Sequence, residues 1–142
     1  MVQQPTKVLV AEDEALIRLD LVELLTDEGF EVIGQAADGN EAVKLARELE
    51  PDVIIMDIKM PGMDGITAAE ALGEERIAPI VMLTAFSQRD LVEWARDAGV
   101  MGYLVKPFGP TEVVPTIEMA IARFAEMKAI EEELANLEDR FE

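Results

Sequence analysis

Short, continuous apolar runs alternate along this chain with longer stretches whose apolar residues recur every three or four positions. Lys7-Val8-Leu9-Val10-Ala11 is the first run; it predicts a strand and passes straight into Glu12-Asp13-Glu14. Leu16, Ile17, Leu19, Leu21, Val22, Leu24 and Leu25 follow at helical spacing, and Gly29 stands where a helix C-terminus favours glycine. Phe30 to Ala37 predicts a second strand, Asp38-Gly39 a turn, and Asn40 to Glu50 a second helix with Ala42, Val43, Leu45, Ala46 and Leu49 on its apolar face. Val53 to Met56 is apolar without interruption and lies between Pro51 and Pro61-Gly62, so it reads as a strand buried on both faces that ends on Asp57. A loop follows, Lys59 to Gly65, and then a third helix from Ile66 to Leu72 that weakens at Gly73. Ala78 to Leu83 predicts a fourth strand ending on Thr84-Ala85, and Gln88 to Ala98 a fourth helix stopped by Gly99. Val100 to Val105 predicts a fifth strand ending on Lys106-Pro107. From Thr111 the pattern is helical to the end of the chain, with Pro115 early, where a missing N–H costs least.

Strict alternation of strands and helices, with right-handed crossovers, predicts an α/β fold: a parallel sheet covered by helices on both faces. The pattern leaves the spatial order of the strands open. At 142 residues, half of them hydrophobic, the chain suits one domain with a sizeable core. A formal net charge of −18 argues against nucleic-acid binding by this chain, because phosphate contacts need clustered Lys and Arg. There is no Cys and no His, which excludes thiol catalysis, disulfides, Cys/His zinc sites and Ser-His-Asp triads. Met1 to Thr6 is short and polar, no apolar run is long enough to span a bilayer, and the cytoplasm is the expected location.

Four predicted strands end on polar groups: Glu12 and Asp13, Asp57, Thr84, and Lys106. In a parallel sheet these ends lie on one edge, so residues far apart in sequence converge there. Three carboxylates on one edge repel each other, and Mg²⁺ with oxygen ligands is their natural neutraliser. Lys106 adds a fixed positive charge, Thr84 a hydroxyl, and Ala85 is small enough to leave room for a ligand. The set suits phosphoryl chemistry, with Asp57 as a nucleophile toward phosphorus. With no His in the chain, a histidine phosphodonor has to come from outside.

Glu12-Asp13, Asp57 followed by Met60-Pro61-Gly62-Met63-Asp64-Gly65, Thr84-Ala85, Tyr103 and Lys106-Pro107 occur in an order that resembles the receiver domain of two-component response regulators, over about residues 6 to 126. The resemblance implies a flavodoxin-like five-stranded parallel sheet in the order 2-1-3-4-5, for which a receiver protein is itself the general example. It implies that Asp57 is the phosphoacceptor, that Glu12 and Asp13 hold Mg²⁺ together with Asp57 and the Lys59 backbone carbonyl, and that Thr84 and Tyr103 form a switch pair. Glu12 departs from the aspartate that receivers often carry at its position. Ala11 to Arg18 and Leu83 to Asp90 are similar, more narrowly, to the receivers of ANTAR-type antitermination regulators, in which a helical RNA-binding module follows. The partners so implied are a sensor histidine kinase and, for a module outside this chain, RNA.

Simpler roles stand beside these. Asp64-Gly65 before a helix reads as an N-cap, and Met56, Met60, Met63 and Met82 as packing residues. Tyr103 would ordinarily be core, and Lys106-Pro107 is a candidate cis peptide. In the last helix, Val113, Ile117, Ala120, Ile121 and Phe124 should pack on the sheet. Beyond them Met127, Ile130, Leu134, Leu137 and Phe141 are spaced 3, 4, 3, 4, an a/d seam with Glu-rich flanks. That divides the chain into a tail (1–6), a receiver-like domain (7–126) and a helical extension (127–142) expected to lead into an output module. The seam predicts a homodimer; the alternative is that it folds back onto its own domain. As a whole the chain reads as a signalling switch and not an enzyme. The alternatives are a stand-alone receiver acting by protein binding, a Mg²⁺ phosphatase with an Asp nucleophile, and a coiled-coil adaptor, which accounts only for the tail. The phosphatases with such a nucleophile carry an acid two residues on, and here that residue is Lys59.

Overall fold

The computed structural model describes residues 4–85 and 99–140. The elements are β1 (Lys7–Ala11), α1 (Ala15–Asp27), β2 (Glu31–Ala36), α2 (Gly39–Leu49), β3 (Val53–Asp57), α3 (Gly65–Glu75), β4 (Ile80–Thr84), β5 (Gly102–Val105) and a C-terminal helix (Pro110–Arg140). The helix expected over Gln88 to Ala98 lies outside the described residues. The five strands are all parallel, in the order β2-β1-β3-β4-β5. This is the flavodoxin-like arrangement, with β3 at the centre, and β3 and β4 are buried at every position.

Two apolar layers sandwich the sheet. On one face Leu9, Ile54, Met56, Ile80 and Met82 meet Ala42 and Ala46 of α2 and Ala68, Ala69 and Leu72 of α3. On the other, Val10, Ile55, Val81 and Leu104 meet Leu21 and Leu25 of α1 and Val113, Ile117 and Ala120 of the C-terminal helix. The side chains alternate between the layers because successive strand residues point to opposite faces.

Element ends follow local chemistry. Asp38 caps α2 by accepting the Glu41 N–H at 2.8 Å, so Asp38-Gly39 is a helix start and not a separate turn. Asp64 caps α3 in the same way, accepting from Thr67 at 2.8 Å, as expected. Gly73 does not weaken α3: the buried Ala69 and Leu72 hold that turn, and the helix runs on to Arg76, whose left-handed conformation (φ 53°) ends it. Gly29 (φ +91°) closes α1, where an L side chain would be strained. β4 starts at Ile80, because Pro79 contributes only its carbonyl, which accepts the Ile54 N–H at 2.9 Å. β5 starts at Gly102, two residues later than the apolar run suggests. Pro115 sits in the second turn of the C-terminal helix, where its ring removes the N–H that would bond the Thr111 carbonyl.

Candidate functional site

The carboxyl ends of β1, β3, β4 and β5 meet at one edge of the sheet. Backbone bonds run past the strand ends: Glu12 N–H to Ala36 O (3.0 Å), Ile58 N–H to Leu83 O (3.2 Å) and Lys106 N–H to Thr84 O (2.9 Å). The edge is therefore held in register up to the residues that carry charge. Glu12, Asp57 and Thr84 are the buried polar residues among those described, at 0%, 5% and 3% exposure.

Lys106 lies between two of them, its Nζ 3.1 Å from Glu12 Oε2 and 3.1 Å from Asp57 Oδ2. The contact to Asp57 is a hydrogen bond. The contact to Glu12 is an ion pair without hydrogen-bond alignment, which leaves the buried Oε2 with no hydrogen-bond donor. The other oxygen, Oε1, accepts the Glu14 N–H at 3.2 Å. Asp13 is exposed at the rim, and one carboxylate oxygen from each of Glu12, Asp13 and Asp57 lies within 4.8 Å of the others. One ammonium thus faces three carboxylates, two of them out of water. Burial first, and the charge of Asp57 second, push the Glu12 carboxyl up from 4.5 to about 7. Burial works against the charge of Lys106, but the carboxylates of Asp57 and Glu12 outweigh it and raise its pKa. An orphaned buried carboxylate oxygen beside two further acids is a donor set that fits a hard divalent cation.

The remaining predicted residues are distributed as follows. Thr84 directs its hydroxyl to the Ala85 carbonyl at 2.9 Å. Tyr103 is half-buried and packs with the layer of Met56, Met60 and Met82; it pairs with Met82 in register, so strand alternation puts Thr84 and Tyr103 on the same sheet face. Lys59 is exposed in the loop after Asp57. The Lys106–Pro107 peptide is cis, as the sequence suggested.

Three supporting residues were not singled out from sequence. A Cβ on Gly65 would run into the backbone carbonyl of Asp57, and one on Gly39 into the backbone carbonyl of Met63, so both glycines permit close approach at the ends of the loop after Asp57. Arg18 donates from its guanidinium to the Glu12 carbonyl and anchors the β1–α1 turn. The Asp-Gly dipeptides marked one of these places as a helix start, at Gly65, and the other as a turn, at Gly39; nothing periodic marks a close approach.

The seam residues are far from this edge and do not join it. Met127 is half-buried and lines a groove with Gly73, Arg76, Met101 and Phe124 of its own domain. Ile130, Leu134 and Leu137 remain 52%, 56% and 41% exposed, and Phe141 lies outside the described residues. Folding back therefore accounts for Met127 and not for Ile130, Leu134 and Leu137. Arg76, at the end of α3, reaches the extension through a two-pronged ion pair with Glu131, at 2.8 Å. No helix among the described residues is long and apolar enough to cross a membrane.

Comparison with known proteins matches these features. The profile of the response regulator receiver domain aligns with residues 8–118. The chain is 60% identical over 138 residues to the transcriptional regulatory protein PdtaR of Mycobacterium tuberculosis, which covers 97% of this chain and 67% of that protein. Among solved structures, the response regulator domain of Thermotoga maritima CheB is similar at 30% identity and a TM-score of 0.77, covering 83% of this chain and 97% of that one. A chain of the CheX–CheY–BeF3–Mg²⁺ complex from Borrelia burgdorferi is similar at 33% identity and a TM-score of 0.72, covering 80% of this chain and 87% of that one.

Proposed function

The chain belongs to the response regulator receiver domain family, and from that premise we propose that it is a phosphoryl-accepting switch with Asp57 as the acceptor. The observation that carries the reading is the buried Asp57 carboxylate, hydrogen-bonded to Lys106 and within 4.8 Å of Glu12 and Asp13 oxygens. An Asp57 oxygen forms the new P–O bond as the P–N bond of an external phosphohistidine breaks, so the phosphodonor is a sensor histidine kinase. Lys106 stays beside Asp57 and offsets charge on the phosphoryl oxygens, and Ala85 leaves them room. The Thr84 hydroxyl turns from the Ala85 carbonyl toward the phosphoryl group, and Tyr103, on the same face, follows it.

Glu12, Asp13, Asp57 and the Lys59 backbone carbonyl would hold Mg²⁺, which when bound neutralises charge around the phosphoryl oxygens. The similar chain from Borrelia burgdorferi comes from a complex with BeF3 and Mg²⁺, and that supports the assignment. Lys59, where a phosphatase of this type carries an acid, supports a switch over hydrolytic turnover.

We take 7–126 as the receiver unit, 1–6 as a tail, and 127–142 as a helical linker to an output. The similarity to a transcriptional regulatory protein, of which this chain spans about two thirds, supports a transcriptional output. The ANTAR-like segments Ala11 to Arg18 and Leu83 to Asp90 support RNA-binding antitermination as that output, with the cytoplasm as its place. The exposed stripe of the linker is a surface for a partner helix, and a second copy of the chain, giving a homodimer, is one candidate for it.

The test is intact mass after incubation with Mg²⁺ and acetyl phosphate, for wild type and Asp57→Asn. One phosphoryl group on the wild type and none on the variant is the expected result. No adduct on the wild type, together with no binding of beryllofluoride, would overturn the switch.

A further inference from the structure

The outer half of the C-terminal helix carries an apolar stripe with a charge pattern that bears on its occupant. With Met127 and Leu134 at one seam position and Ile130 and Leu137 at the other, the flanking positions hold Glu126, Glu131, Glu133, Glu138 and Arg140. Two copies paired in parallel would set Glu126 against Glu131 and Glu133 against Glu138 of the second copy, on both sides of the seam. Antiparallel pairing sets like flanks against each other, and only Arg140 then offers an opposite charge. Each copy also carries a formal net charge of −18, so self-association works against repulsion at long range as well. Arg76 already engages Glu131. Glu126, Glu133 and Glu138 are exposed and have no ion pair among the described residues. The stripe between them, Ile130, Leu134 and Leu137, is about half exposed.

We propose that this face docks a helix of a different protein, an amphipathic helix whose apolar stripe is flanked by lysine and arginine. The inference rests on reading the stripe as a partner surface and deepens it by naming the partner's chemistry. A basic-flanked helix turns each of the three unpaired glutamates from a repulsive neighbour into an attractive one, and the apolar stripe sets its register. Charge then decides which helix binds, and the seam decides where it binds.

The test uses this chain with two synthetic helices that share one Leu/Ile seam, one flanked by lysine and the other by glutamate. Binding is read by fluorescence anisotropy, and the chain alone is weighed by sedimentation equilibrium. The lysine-flanked helix should bind at least about tenfold more tightly than the other, and its binding should weaken with salt. Leu134→Ser, at an exposed position, should abolish binding, and the pair Glu133→Lys with Glu138→Lys should reverse the preference. A dimer of the chain alone at neutral pH, dissociated by Leu134→Ser, would overturn the basic partner in favour of a second copy and leave the partner surface standing. Binding of the lysine-flanked helix that survives Leu134→Ser would reduce it to diffuse attraction and overturn the inference. Binding of neither helix, with a monomeric chain, would overturn the partner surface itself.

Discussion

Among the described residues, the sheet edge around Asp57 and the outer half of the C-terminal helix both leave physical demands unmet, and they do so in opposite ways. At the edge, β1, β3 and β5 deliver charge, Glu12 and Asp57 are buried, and Glu12 Oε2 is left without a hydrogen bond. On the helix, a single segment leaves apolar side chains in water, with charge only at its borders. The edge exists only when the whole sheet has formed, whereas the stripe needs only its own helix. A small change at the edge should therefore be felt throughout the domain, and the same change on the stripe should be felt only by a partner.

The largest difference should come from Gly65→Ala. Its added methyl would meet the Asp57 carbonyl, a backbone atom that cannot swing aside, and should destabilise the domain by about 3 kcal/mol in urea unfolding. Lys106→Met should follow, at about 2 kcal/mol near neutral pH, because Asp57 loses its hydrogen bond and Glu12 its counter-charge. An unchanged urea midpoint for Lys106→Met would mean that the ion pairs contribute nothing net.

Glu12 gives an effect with a definite sign. Its carboxyl is raised from 4.5 unfolded to about 7 folded, so the folded state binds the extra proton between these values. Stability from this group is fully present below about pH 4.5 and is lost as pH rises through about 7. Glu12→Gln should flatten that part of the stability profile while weakening any Mg²⁺-dependent rise in melting temperature. A wild-type profile with the same slope as the variant would contradict the burial argument. The smallest effect belongs to the stripe: Leu134→Ala, more than half exposed at 56%, should stay within about 0.5 kcal/mol of wild type in the absence of a partner. A larger loss on unfolding of the isolated monomer would show that the extension packs on its own domain after all.

The two regions also differed in how they could be read. Glu12, Asp57, Thr84 and Lys106 were legible because each follows an uninterrupted apolar run, and parallel topology sends all such ends to one edge. The order of the strands was not in the pattern; it came from the resemblance, and β2-β1-β3-β4-β5 agrees with it. Gly39, Gly65 and Arg18 escaped notice because close approach and a single guanidinium–carbonyl contact leave no period in the chain. Gly73 misled in the other direction: its low helix propensity lost to burial of the neighbouring Ala69 and Leu72. The stripe was fully visible as spacing, but not which of its members face home. Met127 lines a groove with Arg76 and Met101, and that depends on how the far end of α3 meets the helix.

Gly65 gives the edge a mechanical character. The first turn of α3 stands directly behind the Asp57 carbonyl, with no room even for a methyl group between them. Bulk or charge added at the tip of β3 finds a hard stop at its back. The tip of β3 is braced from one side, so whatever acts on the Asp57 side chain acts against a backbone that α3 holds in place.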